Sequence, residues 1–327
     1  MKIADMHCDT ISAIWESRRE GKPQRLSQNS LHVDLAKMKQ SGYLLQSFAM
    51  FVDLKKDLDS FEYVLDLIRV FYEELLENKN DIGVIKTYDE LMENERCGRL
   101  SELLTIEEGG CCKGDIKKLE RLYELGARMM TLTWNYQNEL ANPNIFSEQR
   151  NAEGFALFDG SRGLTETGFA FVERMEELGI IIDVSHLSDA GFWEIADCTK
   201  KPFVASHSNA RALCGHARNL DDDMIREIAE RGGVIGLNYY GCFLNQRYDD
   251  NSTVERIAEH ARYIVKVGGS EGLGLGSDFD GISGRLEMED CSQMYKLFDA
   301  LKKAGFSEDG MEKIAYRNVL RVYREML

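Results

Sequence analysis

Proline, long apolar runs and export signals are scarce in this chain. Its 327 residues include only three prolines, and no Gly/Ser-rich linker divides them. No apolar run approaches the ~18–20 residues that a membrane-spanning helix requires. The N-terminal stretch MKIADMHCDT lacks the long apolar segment of a secretory signal. We therefore expect a soluble, cytoplasmic protein with no membrane partner.

Positive charge is also in short supply. Lys and Arg number 40 against 56 Asp and Glu, which gives a net charge of −16. Nucleic-acid binding needs clustered basic residues to neutralise phosphates, so the sequence predicts no nucleic-acid partner. None of the eight cysteines forms a C-x-x-C pair. Reduced thiols are expected when no export signal is present, which argues against a disulfide scaffold.

The pattern that is present is a short apolar segment followed by an amphipathic one, repeated along the chain. Strands alternating with helices predict a parallel sheet, and eight such units favour an α/β fold of the (β/α)₈ TIM-barrel type. An open doubly wound sheet is disfavoured, because the first strand ends in His7-Cys8-Asp9 without a Gly-rich turn. The predicted strands are residues 2–9, 43–52, 103–108, 129–133, 180–185, 203–206, 234–239 and 273–277. The clearest predicted helices are residues 60–77, 115–125, 165–178, 222–231 and 254–267.

The boundaries of these elements complete the fold prediction. Asp189 and Asp221 stand where helix N-caps would be useful. Residues from about 289 to 327 are expected to form two or three closing helices. We predict one barrel domain over residues 1–327.

Polar residues follow the predicted strands at the ends that meet in a barrel. The carboxyl ends of barrel strands converge on one mouth, where active sites lie. Three of the six histidines in the chain fall at such ends. The strand-end residues are His7 and Asp9, Glu108, His186, His207 and Asp278.

Each of these residues also has a purely structural interpretation. His7 and Asp9 share one strand face and could form a hydrogen-bonded pair. A lone histidine on an apolar strand is more often a core residue than a ligand. Glu108 could be a loop carboxylate before Gly109 and Gly110, and Glu107 is expected to face the other way. It is the combination that favours a metal site.

Three histidines and two carboxylates exceed the needs of one tetrahedral zinc. They suit two divalent ions such as Zn²⁺, about 3.5–4 Å apart and sharing a carboxylate bridge. Glu108 is the expected bridge. A hydroxide held between the ions would be the nucleophile, and Asp278 would carry its proton to the leaving group. Asp280 is the alternative base.

These motifs resemble those of the membrane dipeptidase family, also called renal dipeptidase, over nearly the whole chain. The similarity rests on seven short motifs in one order. They are D-M-H-C-D-T at 5–10, E-E-G-G at 107–110, T-L-T at 131–133, D-V-S-H at 183–186, S-H-S-N at 206–209, A-R-N-L at 217–220 and G-S-D-F-D-G at 276–281.

The resemblance implies a binuclear zinc dipeptidase. His7 and Asp9 match the ligands of one ion, His186 and His207 those of the other, Glu108 the bridge and Asp278 the acid/base residue. Arg218 matches an arginine that binds the C-terminal carboxylate of a dipeptide, and Tyr240 a pocket residue. Tolerance of D-residues at the C-terminal position and a homodimer are also implied.

One position departs from the mammalian pattern. A substrate-contacting histidine is replaced by Trp134, which can stack and donate one hydrogen bond but cannot act as a cation. Metal binding should survive this change, while substrate preference is affected.

Two alternatives stay open. One is another two-metal hydrolase acting on cyclic amides, lactones or phosphoesters, although such barrels commonly begin with H-x-H and this chain has H-x-D. The other is a barrel kept as a binding protein without turnover, against which the complete set of ligand-type residues argues.

Overall fold

The computed structural model describes residues 1–56 and 59–327. The strands, in chain order, are β1 Ile3–Cys8, β2 Tyr43–Phe51, β3 Ile82–Val84, β4 Leu100–Glu107, β5 Ala127–Thr131, β6 Ile145–Arg150, β7 Ala156–Asp159, β8 Ile181–Asp183, β9 Ile235–Leu237 and β10 Leu273–Leu275. The helices are α1 Thr10–Arg19, α2 Leu35–Ser41, α3 Ser60–Glu77, α4 Tyr88–Arg96, α5 Ile116–Glu124, α6 Glu166–Leu178, α7 Asp189–Cys198, α8 Asp222–Glu230, α9 Val254–Gly268, α10 Tyr295–Lys303, α11 Glu308–Glu312 and α12 Asn318–Met326.

The principal sheet is parallel and runs in the order β8-β5-β4-β2-β1-β10-β9, with β3 paired to the start of β4. Its two ends are joined by residues 203–206. Val204 bridges to Asp183 of β8, and Ala205 bridges to Ile235 of β9. The α/β barrel predicted from the sequence is therefore confirmed. Residues 203–206 make only isolated bridges, so the predicted strand there is reduced to a closing segment.

The C-terminal helix α12 closes the barrel on the side away from the strand ends that carry the polar residues. Val319, Val322 and Tyr323 form one buried cluster with barrel residues, among them Leu103 of β4. The hydroxyl of Tyr323 lies 2.9 Å from Ser47 Oγ of β2. Alternate residues of β4 point to opposite faces, so Thr105 and Glu107 share the inner face of Leu103.

Local capping is partly as the sequence predicts. Asp221 caps α8 by accepting a hydrogen bond from the Met224 amide at 2.8 Å. The expectation for Asp189 is wrong, because Ser188 caps α7 and accepts from the Gly191 amide. An antiparallel hairpin formed by β6 and β7 was not predicted. No helix in the described part of the chain has the length and apolar character needed to cross a membrane.

Candidate metal centre

The ligand-type side chains come from the carboxyl ends of different barrel strands. His7 is the second-to-last residue of β1, and Glu107 is the last residue of β4. His186 follows β8, and His207 follows the closing segment 203–206. Asp9 occupies the N-cap position of α1 but makes no capping hydrogen bond, which leaves its carboxylate to the site. All five side chains are buried. We call His7, Asp9, Glu107, His186 and His207 the ligand cluster.

Glu107 lies at the centre of this cluster and faces two different groups. Its Oε1 is 3.1 Å from His186 Nε2 and 3.8 Å from His207 Nε2. Its Oε2 is 3.3 Å from His7 Nε2, which itself lies 3.4 Å from Asp9 Oδ2. Ligand atoms of the two groups, Glu107 with His186 and His207 and Glu107 with His7 and Asp9, are each close enough to hold one ion.

The expectation that Glu108 bridges two ions is wrong in its geometry. The Glu108 carboxylate accepts hydrogen bonds from the amides of Gly110 and Trp134 at 2.8 and 2.9 Å. It therefore faces the loop after β5 and not the imidazoles. The reason is local: β4 ends at Glu107 on the inner face, and Glu108 leaves the strand with a left-handed φ of 92°.

Several ligand-type atoms are buried without the partners that their chemistry requires. His7 Nε2 and Asp9 Oδ1 make no hydrogen bond to any described residue. The Nε2 atoms of His186 and His207 face each other at 3.0 Å. Buried polar atoms are nearly always satisfied, so this convergence of imidazole nitrogens and carboxylates fits divalent ions.

Neighbouring side chains fix how two of the imidazoles present their nitrogens. His186 Nδ1 lies 3.1 Å from the side-chain oxygen of Asn135, which can only accept, so His186 donates there. His207 Nδ1 lies 2.8 Å from Ser206 Oγ, whose own hydrogen goes to Asp183. Both rings therefore direct the lone pair of Nε2 into the site, which is the form that binds metals.

The pKa values of the ligand cluster are shifted in opposite directions. Burial lowers the pKa of His186 to about 3, with help from the Arg218 charge. Burial, together with the charges of His7 and Arg218, lowers the pKa of His207 well below its usual value. Burial also disfavours the charged form of His7, but the Glu107 and Asp9 carboxylates hold the His7 pKa well above its usual value. The pKa of Asp9 is raised to about 7 by burial and by Glu107. Such crowding of buried carboxylates is what bound cations would relieve.

Asp278 lies beside the ligand cluster. Its Oδ1 is 3.8 Å from His7 Nε2, and its Oδ2 accepts a hydrogen bond from Asn238 Nδ2 at 2.8 Å. Burial raises the pKa of Asp278 to about 6. Asp280 is turned away and accepts from the Thr10 hydroxyl at 2.5 Å and the His32 amide at 2.7 Å. Of the two acids considered from the sequence, Asp278 is therefore the one that faces the site.

The ligand cluster opens into a cavity of about 210 Å³. Trp134 and Tyr240 line this cavity, together with Phe51 and Phe243. The ring centroids of Trp134 and Phe51 lie 4.8 Å apart, and those of Tyr240 and Phe243 lie 5.0 Å apart, both pairs in an edge-on arrangement. The cavity thus has a charged floor and an aromatic wall.

Arg218 lies behind the imidazoles and lines a narrow cleft that it shares with His186. Its Nη2 donates to the His207 carbonyl at 3.2 Å, and its Nε has no hydrogen-bond partner among the described residues. Burial lowers the Arg218 pKa to about 10. A buried guanidinium with an unused donor is suited to an anion.

The expectation that Glu107 faces away from the site is wrong, since both of its oxygens point at the imidazoles. Three further side chains of the site were missed from the sequence, namely Asn135, Asn238 and Ser206. Each is an uncharged hydrogen-bonding partner of a residue that was identified. Ser206 had a signal, because it stands directly before His207 in S-H-S-N. Asn135 and Asn238 had no such signal, because each is 40 or more residues from its partner in the sequence and only the fold brings them together.

Comparison with known sequences supports a peptidase family. The sequence profile described as membrane dipeptidase (peptidase family M19) matches residues 1–326. An uncharacterized dipeptidase of Schizosaccharomyces pombe is 31% identical over 307 residues, covering 90% of this chain and 72% of the relative. An uncharacterized Klebsiella pneumoniae protein from the pqqA 5′ region is 33% identical over 237 residues, covering 71% and 85%.

Solved structures share the fold. A metallopeptidase from Rhodobacter sphaeroides, liganded with a phosphinate mimic of the dipeptide L-Ala-D-Ala, superposes with a TM-score of 0.89 at 23% identity, covering 100% of this chain and 99% of that one. A dipeptidase described as a family M19 metallopeptidase gives a TM-score of 0.90 at 24% identity, covering 100% and 98%.

Proposed function

We propose that this chain, which belongs to the membrane dipeptidase family (peptidase family M19), hydrolyses dipeptides with two divalent metal ions held by the ligand cluster. Its membership makes it a metal-dependent dipeptidase. The number of ions, their identity as Zn²⁺ and the roles of single residues are the proposal.

The arrangement of Glu107 carries the two-ion proposal. Its two oxygens face separate groups of nitrogen and oxygen ligands, Oε1 toward His186 and His207 and Oε2 toward His7. A carboxylate placed in this way suits a bridge between neighbouring ions. His7 and Asp9 would complete one ion's ligands, and His186 and His207 those of the other.

Two bound ions would polarise the peptide carbonyl and lower the pKa of a water so that it attacks at neutral pH. The chain supplies the proton transfer. Asp278 would take the proton of the attacking water and deliver it to the leaving amine. Its position 3.8 Å from His7 Nε2 and its hydrogen bond from Asn238 favour this role.

Substrate recognition would divide between a cationic cleft and the aromatic wall. Arg218 would bind the C-terminal carboxylate of the dipeptide through its unused donor. Trp134 and Tyr240 would contact the side chains, since both line the cavity. A dipeptide ending in a D-residue would be accepted, a property consistent with the L-Ala-D-Ala mimic bound by the Rhodobacter sphaeroides neighbour.

Metal analysis and a substrate panel test this function together. Purified protein loaded with Zn²⁺ should hold two ions per chain and cleave dipeptides, including L-Ala-D-Ala, in preference to lactones and phosphoesters. The Glu107→Gln variant should hold less metal and lose activity. A wild-type protein that hydrolyses lactones or phosphoesters but no dipeptide would overturn the proposal, and so would one that retains a single ion at full activity.

A further inference from the structure

Glu108 is a buried carboxylate in a costly backbone conformation. Its side chain is fully buried, and its φ of 92° is rare for a residue other than glycine. Burial raises its pKa to about 7. Strained backbone positions of this kind cluster at functional sites, yet the carboxylate of Glu108 faces away from the ligand cluster.

The donors to this carboxylate come largely from one loop. Glu108 Oε2 accepts from the Trp134 amide at 2.9 Å, and Oε1 accepts from the side chain of Asn138 as well as from the Gly110 amide. Asn138 in turn donates to the Leu132 carbonyl at 2.8 Å and accepts from the Leu140 amide at 2.7 Å. Glu108 and Asn138 therefore tie the end of β4 to both ends of the loop 132–141.

The two glycines after Glu108 fit this connection. A Cβ on Gly110 would lie 2.6 Å from Glu108 Oε1 and 2.7 Å from Asn138 Nδ2. A Cβ on Gly109 would lie 3.0 Å from the Thr131 carbonyl. Neither position leaves room for a side chain while the loop is held against the turn.

The tethered loop provides part of the cavity wall. Trp134 and Asn135 both line the cavity, and Asn135 accepts the hydrogen bond that orients His186. We propose that Glu108 is a positioning residue, whose carboxylate fastens the loop 132–141 and thereby sets where Trp134 and Asn135 meet the substrate. This inference rests on the proposed dipeptidase function for its kinetic consequence but not for its structural one.

Three variants test the connection. Glu108→Gln replaces one acceptor oxygen by a donor that opposes the Trp134 or Asn138 N–H. Glu108→Gly removes the side chain while relieving the positive φ, so it remains informative if Glu108→Gln does not fold. Asn138→Ala removes the other half of the tether without touching the strained turn. Metal content is measured for each, with Glu107→Gln as the matched control at the neighbouring carboxylate.

The expected result separates the two adjacent glutamates. All three variants should keep the wild-type metal content when Zn²⁺ is in excess, with at most a weaker affinity because Asn135 orients His186. Glu107→Gln should lose metal under the same conditions. The KM for dipeptides should rise on the order of tenfold with a smaller change in kcat, because the cavity wall is displaced and the ions are not. The double variant Glu108→Gly/Asn138→Ala should raise KM by less than the product of the two single effects, since both single variants lose the shared Glu108–Asn138 hydrogen bond.

Trp134 offers a readout that does not depend on activity. The fluorescence of Trp134, taken as the difference between each protein and its Trp134→Phe version, should become more accessible to acrylamide in the variants. Loss of metal in Glu108→Gln to the extent seen in Glu107→Gln would overturn the inference, and so would unchanged KM and unchanged quenching. If the wild type cleaves no dipeptide, the proposed function fails while the quenching still decides the role of Glu108.

Discussion

At the scale of single residues, Gly281 shows how closely the site is packed. A Cβ at this position would lie 2.2 Å from Asp9 Oδ2 and 2.6 Å from Asp278 Oδ1. Gly281→Ala should therefore displace both carboxylates while the rest of the barrel keeps its structure. A misplacement of about 1 Å can cost about a hundredfold in rate. We expect a loss of that order in kcat/KM, measured by steady-state kinetics. The Tm of the metal-free protein, measured by calorimetry, should be nearly unchanged. Full activity would contradict the contacts seen here.

Asp278 is tested by removing its ability to take a proton. Asn has the same shape and can still accept from Asn238 through its oxygen, so Asp278→Asn should keep the fold and most of the metal. General acid–base catalysis contributes about 10²–10⁴-fold, and kcat should fall by this order. Metal content and the thermal midpoint are the controls. A kcat close to that of the wild type would assign the proton transfer to another group.

The two adjacent glutamates mark the limit of residue-level prediction. The expectation that ligands follow the carboxyl ends of strands identified the correct segment. To choose between Glu107 and Glu108, however, one must know which face of β4 points into the barrel. Both faces of a parallel strand are buried, so apolar alternation does not distinguish them. Leu103 lies on the same face as Glu107 and belongs to the same buried cluster as residues of α12, a grouping that only the fold reveals. The left-handed φ of Glu108 likewise could not be predicted from the sequence.

At the scale of elements, the N-cap of α8 can be tested in isolation. Asp221 accepts from the Met224 amide at 2.8 Å and follows a sequence-level prediction. Asp221→Ala should lower the free energy of unfolding by about 1 kcal/mol, measured by urea denaturation. Asp221→Asn is the matched control, since it retains an accepting oxygen and should recover most of the loss. Equal losses in both variants would mean that charge, and not the hydrogen bond, is what matters.

The elements that were predicted are those with long or strongly apolar patterns. α3 has the predicted bounds of residues 60–77, and each of the eight predicted strand segments takes part in the barrel. β6 was missed because all of its residues are exposed, so buried and exposed side chains do not alternate along it. β3 was missed because only Ile82 of its three residues is fully buried, whereas the equally short β8, β9 and β10 are buried throughout. Pairing with β4 and β7, and not local sequence, makes these segments strands.

At the scale of the whole molecule, metal binding should couple to stability. The ligand cluster draws its residues from distant parts of the chain, from His7 to His207, so ions bound there would stabilise only the folded barrel. Ligand present at a thousand times its Kd adds about 4 kcal/mol. Chelation should lower the thermal midpoint, and added Zn²⁺ should restore it. Glu107→Gln should show a much smaller response. A midpoint indifferent to measured loss of metal would contradict this coupling.

The opposite end of the barrel provides a test of closure that is independent of the site. Tyr323 on α12 and Ser47 on β2 are both buried and lie 2.9 Å apart through their hydroxyl oxygens. Tyr323→Phe would leave the Ser47 hydroxyl without this partner, and an unsatisfied buried group costs about 1–3 kcal/mol. Ser47→Ala in the same chain removes the orphan, so the double variant should be more stable than the sum of the single losses predicts. Strictly additive losses in a double-mutant cycle would mean that the two hydroxyls do not stabilise each other. Metal content should stay unchanged throughout, because α12 closes the barrel on the side away from the ligand cluster.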